Sequence, residues 1–276
     1  MLINLKELLR DSHGGVASFN CIDLEMAKGC LLAAEKLKRP VVIGVATRHW
    51  MALGGKEFVP SLVGMCKNAK VPVALHLDHA KPTEKNIVEE ALASGFTSIM
   101  IDGSSLSFEE NVALTKEVIA MCRPFDASVE AELGPILGEE GVAGVVDASK
   151  SKNFTNPSEA KSFCEQTLVD ALAIAVGTAH GIYKDVPKIQ LDLINEIGSL
   201  TSTPLVLHGA TGIPDEVIRE SVKRGIRKVN FFSGLLTEAM DSIRKVKQED
   251  TDYMALRLTL RKTWERVASD MISLYA

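Results

Sequence analysis

Residues 171–181 read ALAIAVGTAHG. Six apolar residues run without a break before Gly177. A strand with one wet face alternates apolar and polar side chains, whereas a strand covered on both faces is apolar throughout, the condition of a parallel sheet flanked by helices. The same character recurs upstream in VVIGV at 41–45 and downstream in PLVLH at 204–208. Working outward from these cores, eight β-rich runs are expected, at 16–20, 40–47, 73–78, 98–102, 127–133, 171–178, 204–208 and 228–231. Between them lie segments such as 24–38 and 109–122, with apolar residues at helical spacing. Strand and helix alternating eight times predicts a (β/α)8 barrel of the α/β class, with a doubly wound sheet as the rival. No linker interrupts the series, so residues 1–276 read as a single domain, and 252–274 adds an amphipathic helix at the C-terminus.

Helix starts are marked by Pro82-Thr83, by Ser107 with Glu110 three residues on, by Pro157-Ser158 and by Pro214-Asp215. The longest stretch with neither period is 134–156, rich in glycine and charge, and a loop of that length inside a compact domain is usually functional.

Composition narrows the class. The chain has 276 residues, 46% hydrophobic and 24% charged, which excludes disordered, collagen-like and coiled-coil proteins. Thirty-one basic against 36 acidic residues leave a net charge of −5 and no basic block to follow a phosphate backbone, so nucleic acid is not an expected partner. There is no apolar run long enough for a membrane span and no leader-like start. Five scattered cysteines without a CxxC pair suit reduced thiols, and a cytoplasmic protein is expected.

In a barrel the reactive groups gather at the carboxyl ends of the strands. Those ends carry Asn20, Thr47 with Arg48 and His49, Asp78 with His79, Asp102, Glu132, His180, His208 and Asn230. His79, His180 and His208 would project from three strand ends toward one point, and three imidazoles with an open fourth position describe a catalytic zinc site. For any one of them taken singly, a hydrogen-bonded structural histidine is the alternative. Asp102 and Glu132 would place carboxylates beside the metal. His76 lies on the same side of its strand as Asp78 and suits a packed supporting group as well as a ligand, while His13 is expected in solvent. The glycines of 177–181, 209–212 and 230–234 follow the last three strands, where backbone N–H groups and a helix start form the phosphate site of many barrels. The alternative is that they only permit tight turns.

The ordered set VALHLDHA, SIMIDGSSLSFEENVALTKEV, SVEAELG, AVGTAHGIYK, PLVLHGATGIP and KVN resembles the class II zinc-dependent ketose-bisphosphate aldolases, nearest to the tagatose- and fructose-bisphosphate branch. The resemblance runs from about residue 19 to residue 230. It implies zinc on His79, His180 and His208, acid/base work by Asp78, and Asp102 and Glu132 beside the metal, in some members holding it or a second divalent or monovalent cation. It implies substrate and phosphate contacts by Gly181, Gly209, Ala210, Thr211, Asn230 and Ser233, with Lys184 nearby, and proton transfer by Glu140 in the loop after the fifth strand. Asn20, closing the first strand, joins the expected substrate contacts. The activity implied is reversible cleavage of a ketose phosphate to dihydroxyacetone phosphate and an aldehyde, with zinc stabilising the ene-diolate. A homo-oligomer, dimer or tetramer, is implied as well, with the C-terminal helix and Trp264 as candidates for the interface or, alternatively, for a cap on the barrel bottom.

The chain departs from the pattern in three places. Phe231, Phe232, Ser233 and Gly234 replace N-x-x-[ST]-[DE] after the last strand, GPILGEEG lacks the usual Gly-Gly pair, and Thr47-Arg48-His49-Trp50 stands where small polar residues are usual. A metal-free aldolase would need a buried lysine at a strand end, and Lys228 reads as preceding its strand while Lys184 reads as lying in a loop. A zinc-dependent barrel hydrolase, a barrel epimerase and a non-catalytic sugar-phosphate-binding subunit are the other readings. The phosphate loops and the HLDH context weigh against the hydrolase, and the intact Asp78 and histidines against a lost activity.

Overall fold

A computed structural model describes residues 1–138, 144–150, 153–246 and 252–276, without the side chain of Lys150. Eight parallel strands close into a barrel in chain order: β1 Val16–Asn20, β2 Val41–Ala46, β3 Val73–Ala80, β4 Ser98–Ile101, β5 Ser128–Leu133, β6 Ala171–Ile174, β7 Leu205–Leu207 and β8 Ile226–Asn230, which pairs back onto β1. Closure rules out the doubly wound sheet, whose edges would stay open.

Helices follow the strands. α1 Leu5–Arg10 precedes the barrel, and α2 Leu24–Leu37 follows β1. The crossover after β2 holds α3 Thr47–Leu53 and α4 Gly55–Lys67, and α5 Lys85–Ser94 and α6 Phe108–Cys122 come next. Then follow α7 Pro157–Thr167, α8 Leu191–Leu200, α9 Asp215–Lys223, α10 Ser233–Lys245 and α11 Tyr253–Tyr275. Ser107 and Glu110 form a capping box on α6, Asn156 caps α7 ahead of Pro157, and Asp252 caps α11. Pro82-Thr83 fall in the turn before α5, which begins two residues later behind Glu84. In the long segment after β5, Val145–Val146 pairs with Ile182–Tyr183. Among the described residues no helix is long and apolar enough to cross a membrane.

The interior is layered by the two-residue period of the strands. At the bottom Val16, Val42, Ala74, Met100, Ala171, Ala173 and Val206 pack against Leu5, Leu8 and Leu9 of α1. It is therefore α1 that caps the barrel, not the C-terminal helix. Above Ala74 on β3 comes His76, and β5 and β8 add Glu130 and Lys228 to the interior, all three fully buried. Two residues further along these strands stand Asp78, Glu132 and Asn230 at the mouth.

Two sequence expectations need correction. Lys228 does not precede its strand: β8 begins at Ile226, so Lys228 lies mid-strand inside the barrel, a charged residue in an apolar setting that hides the strand's start. Trp264 is not an interface candidate. Its side chain is buried, its indole N–H donates to Leu235 O at 3.2 Å, and α11 lies so close on α2 that a Cβ at Gly29 would stand 2.8 Å from Trp264 Cβ.

Candidate metal centre and active site

Asp78 and His79 are neighbours in sequence, and a regular strand would point them to opposite faces. The ladder between β3 and β4 shifts register between Leu77 and Ala80, and His79 takes the left-handed conformation at φ 52°. This bulge turns both side chains to the mouth. Thr47 Oγ1, one residue beyond β2, donates to the carbonyl of His79 at 3.1 Å and holds the strained residue in place.

His79, His180 and His208 each offer a ring nitrogen within 4.8 Å of the others, and His79, Asp102 and Glu132 form a second such group. The rings stand near-perpendicular, with centroids 4.7 Å apart for His79–His180 and His79–His208 and 5.7 Å for His180–His208. His79 Nε2 faces His208 Nδ1 at 2.9 Å. Glu132 Oε2 is buried without a hydrogen-bond partner among the described residues.

Electrostatics calls for a cation at this point. Burial opposes charge on the His79 ring, yet Asp78, Asp102 and Glu132 outweigh it and push its pKa up to about 10. Burial, with the charge of His79 added, keeps His180 well below the ordinary range, and burial likewise lowers His208. Burial and the neighbouring Asp102 push Glu132 up to about 8. Two neutral imidazoles, a third that holds a proton and a carboxyl oxygen lacking a donor make a donor set that fits Zn2+, which would take the place of the proton.

Asp78 is fully buried at the floor. Its Oδ2 accepts from Asn20 Nδ2 at 2.7 Å, and its Oδ1 lies 3.4 Å from both Asn230 Nδ2 and His76 Nε2. Burial works against its ionisation, but His79 and His76 hold it well below the ordinary carboxylate range, so it stands ionised at the floor.

On one side the histidines open into a cavity of about 300 Å3 lined by Thr47, Arg48, Met51, Lys81, Glu84 and Ile136, with Asp102 and Glu132 at its base. Trp50 turns away, its ring over Gly55 and edge-on to Phe96, and His49 is buried against Phe232 with centroids 5.0 Å apart. On the other side the glycine loops meet. Gly209 has φ 68°, and a Cβ there would stand 2.2 Å from the carbonyl of Ala179. Tyr183 bridges two loops, its hydroxyl accepting from Ala179 N at 2.8 Å and donating to Gly209 O at 2.7 Å. Ala210 N donates to Asn230 O, and Thr211 Oγ1 accepts from Gly234 N at the start of α10. Ser233 opens α10, whose N-cap Phe232 supplies no side-chain acceptor. Gly234 has a local reason of its own: a Cβ there would strike the Phe231 ring at 2.2 Å.

The structure thus brings Asn20, Asp78, His79, Asp102, Glu132, His180, His208 and Asn230 together, with Gly209, Ala210, Thr211 and Ser233 in the adjoining loops. Gly181 lies in the left-handed region beside Ile182–Tyr183, and Lys184 is exposed just beyond. Glu140 lies outside the described residues. Sequence reasoning missed Glu130, Tyr183 and the true place of Lys228. The two-residue step from Glu130 to Glu132 and from Lys228 to Asn230 was the signal that could have found the buried pair.

The family model "Fructose-bisphosphate aldolase class-II" matches residues 3–275. Over 263 residues the chain is 37% identical to the 6-phospho-5-dehydro-2-deoxy-D-gluconate aldolase of Halalkalibacterium halodurans, covering 93% of this chain and 88% of that one. It is 37% identical over 284 residues to a fructose-bisphosphate aldolase of Helicobacter pylori, covering 93% and 91%. The crystal structure of the YdjI aldolase of Escherichia coli K12 superposes with a TM-score of 0.88 at 33% identity, covering 100% of this chain and 98% of that one.

Proposed function

From the chain's membership of the class II fructose-bisphosphate aldolase family, which makes it an aldolase and a carbon–carbon lyase, we propose that it cleaves a phosphorylated ketose to dihydroxyacetone phosphate and an aldehyde, in one domain spanning 1–276. The observation that carries this reading is the meeting of three histidines, Asp78 and the glycine loops at one barrel mouth. Among the relatives one name carries a bisphosphate and another a single phosphate, which supports a sugar phosphate without selecting one.

His79, His180 and His208 would hold Zn2+, with Asp102 and Glu132 beside it or on a second cation. Bound there, Zn2+ supplies a Lewis acid for the negative charge that develops as the carbon–carbon bond breaks. Asp78 takes the C4 hydroxyl proton during cleavage and returns it to the aldehyde oxygen in synthesis. Asn20 and Asn230 hold its carboxylate toward the mouth, at 2.7 and 3.4 Å. The backbone of Gly181, Gly209, Ala210 and Thr211, with Asn230, Ser233 and Lys184, receives the phosphate, and the positive end of α10 favours an anion there. Glu140 handles the C3 proton. Arg48 and Lys81 in the cavity lining favour an aldehyde that carries its own anionic group. Exposed Tyr253, Met254 and Leu258 on α11 are the apolar surface that supports association into a homo-oligomer.

The test avoids any choice of aldehyde. Purified protein in D2O with dihydroxyacetone phosphate is followed by NMR for loss of the C3 proton, with and without a chelator. Exchange that stops on chelation and returns with Zn2+ is the expected result. Absence of exchange in metal-replete protein would overturn dihydroxyacetone phosphate as the donor.

A further inference from the structure

Directly beneath the histidines lies a charged layer that the reaction itself does not use. Glu130 and Lys228 are fully buried and paired at 2.8 Å, from strands on different sides of the barrel. Glu130 Oε1 is 2.9 Å from His208 Nε2, the ring nitrogen opposite the one that faces His79. A carboxylate oxygen can only accept, so this contact places the proton of His208 on Nε2 and leaves the lone pair of Nδ1 toward the cluster. The layer extends sideways. Lys228 Nζ lies 3.4 Å from His76 Nε2, and His76 Nδ1 lies 2.8 Å from Ser98 Oγ.

We propose that Glu130 and Lys228 are positioning residues for metal binding: Glu130 fixes the tautomer and ring angle of His208, and Lys228 anchors Glu130. A buried ion pair is a poor device for stability alone, because well-packed apolar residues of similar volume serve as well or better. The pair is accounted for by what it orients, since a carboxylate behind a ligating histidine commonly governs metal affinity about 10–100-fold. The proposal rests on the reading of His79, His180 and His208 as metal-holding residues.

The test separates the acceptor from the charge. Zn2+ affinity is measured by chelator competition for wild type, for E130Q/K228M, which keeps an acceptor for His208 without the ion pair, and for E130L/K228M, which has none. Calorimetry of each metal-free protein reports folding. The expected result is a loss of about 10–100-fold for E130L/K228M at unchanged metal-free stability, with E130Q/K228M recovering most of it. Equal affinity of the two double variants would overturn the proposal. Failure of wild type to bind Zn2+ would instead overturn the reading beneath it. Should a variant not fold, nitrogen-15 histidine NMR of wild type decides, with the His208 signals assigned by their loss in His208→Gln. A proton on Nε2 is expected, and one on Nδ1 would overturn the proposal.

Discussion

Asn20 on β1 donates to Asp78 on β3 at 2.7 Å, reaching across the whole width of β2. The span is open because β2 carries Gly44 at the crossing point, in register with Asn20 on one side and His76 on the other. A Cβ at 44 would stand 2.2 Å from Asn20 Oδ1. Gly44→Ala is therefore expected to displace Asn20, costing about 1–3 kcal/mol of stability by overpacking and lowering kcat more than that loss accounts for. Calorimetry and kinetics on Gly44→Ala, Asn20→Ala and the double variant check it, the double variant being no slower than Asn20→Ala alone.

Asp78→Asn preserves the shape of the side chain but turns one of its two acceptor oxygens into a donor and removes the proton acceptor. Turnover should fall roughly 10²–10⁴-fold while Zn2+ content, read by metal analysis of the purified protein, stays at the wild-type level. Near wild-type turnover would remove Asp78 from the acid/base role.

Metal removal should cost stability as well as activity. A ligand that binds only the folded state at 100 times its Kd adds about 2.7 kcal/mol. Stripping the protein with a chelator is thus expected to lower Tm, and restoring Zn2+ to raise it again. His180→Ala should abolish the Zn2+-dependent rise, measured by calorimetry on both proteins.

Arg48 lines the cavity into which the histidines open. A charge-assisted hydrogen bond contributes about 1.5–3 kcal/mol, so Arg48→Met should reduce the preference for a phosphorylated over an unphosphorylated aldehyde by about tenfold or more in kcat/KM. An unchanged ratio in the synthesis direction would place the anion elsewhere.

Glu25 ties α2 to α11 through Arg257 and Arg261, each at 2.5 Å. The hydrogen bond from Arg261 lowers its pKa despite partial burial. A carboxyl with a lowered pKa contributes stability that is present above its ordinary value and lost as pH falls through the lowered one. Melting curves of Glu25→Gln against wild type should differ at pH 7 by about 1 kcal/mol, discounted for the solvent-exposed arginines, and converge in strong acid.

The amino-acid sequence alone determined eight strands alternating with helices in a parallel α/β arrangement, because strands covered on both faces and helices between them write their burial into a repeated apolar pattern, while closure of the sheet, which excludes the doubly wound rival, came with the tertiary structure. The sequence also determined which side chains stand at the strand ends, since that follows from counting to the last residue of each run. What it left to the tertiary structure is whatever depends on two strands at once. The bulge that turns Asp78 and His79 to the same side is a shift of register against β4, and no period within β3 records it. The charged layer of His76, Glu130 and Lys228 is balanced only when the barrel closes and brings β3, β5 and β8 to one axis. Read along one strand, Lys228 looks like a residue outside the core. Read across the barrel, it is the partner that makes Glu130 tolerable there. Burial patterns are local and survive in one dimension, whereas charge compensation is a property of distance and appears only after closure.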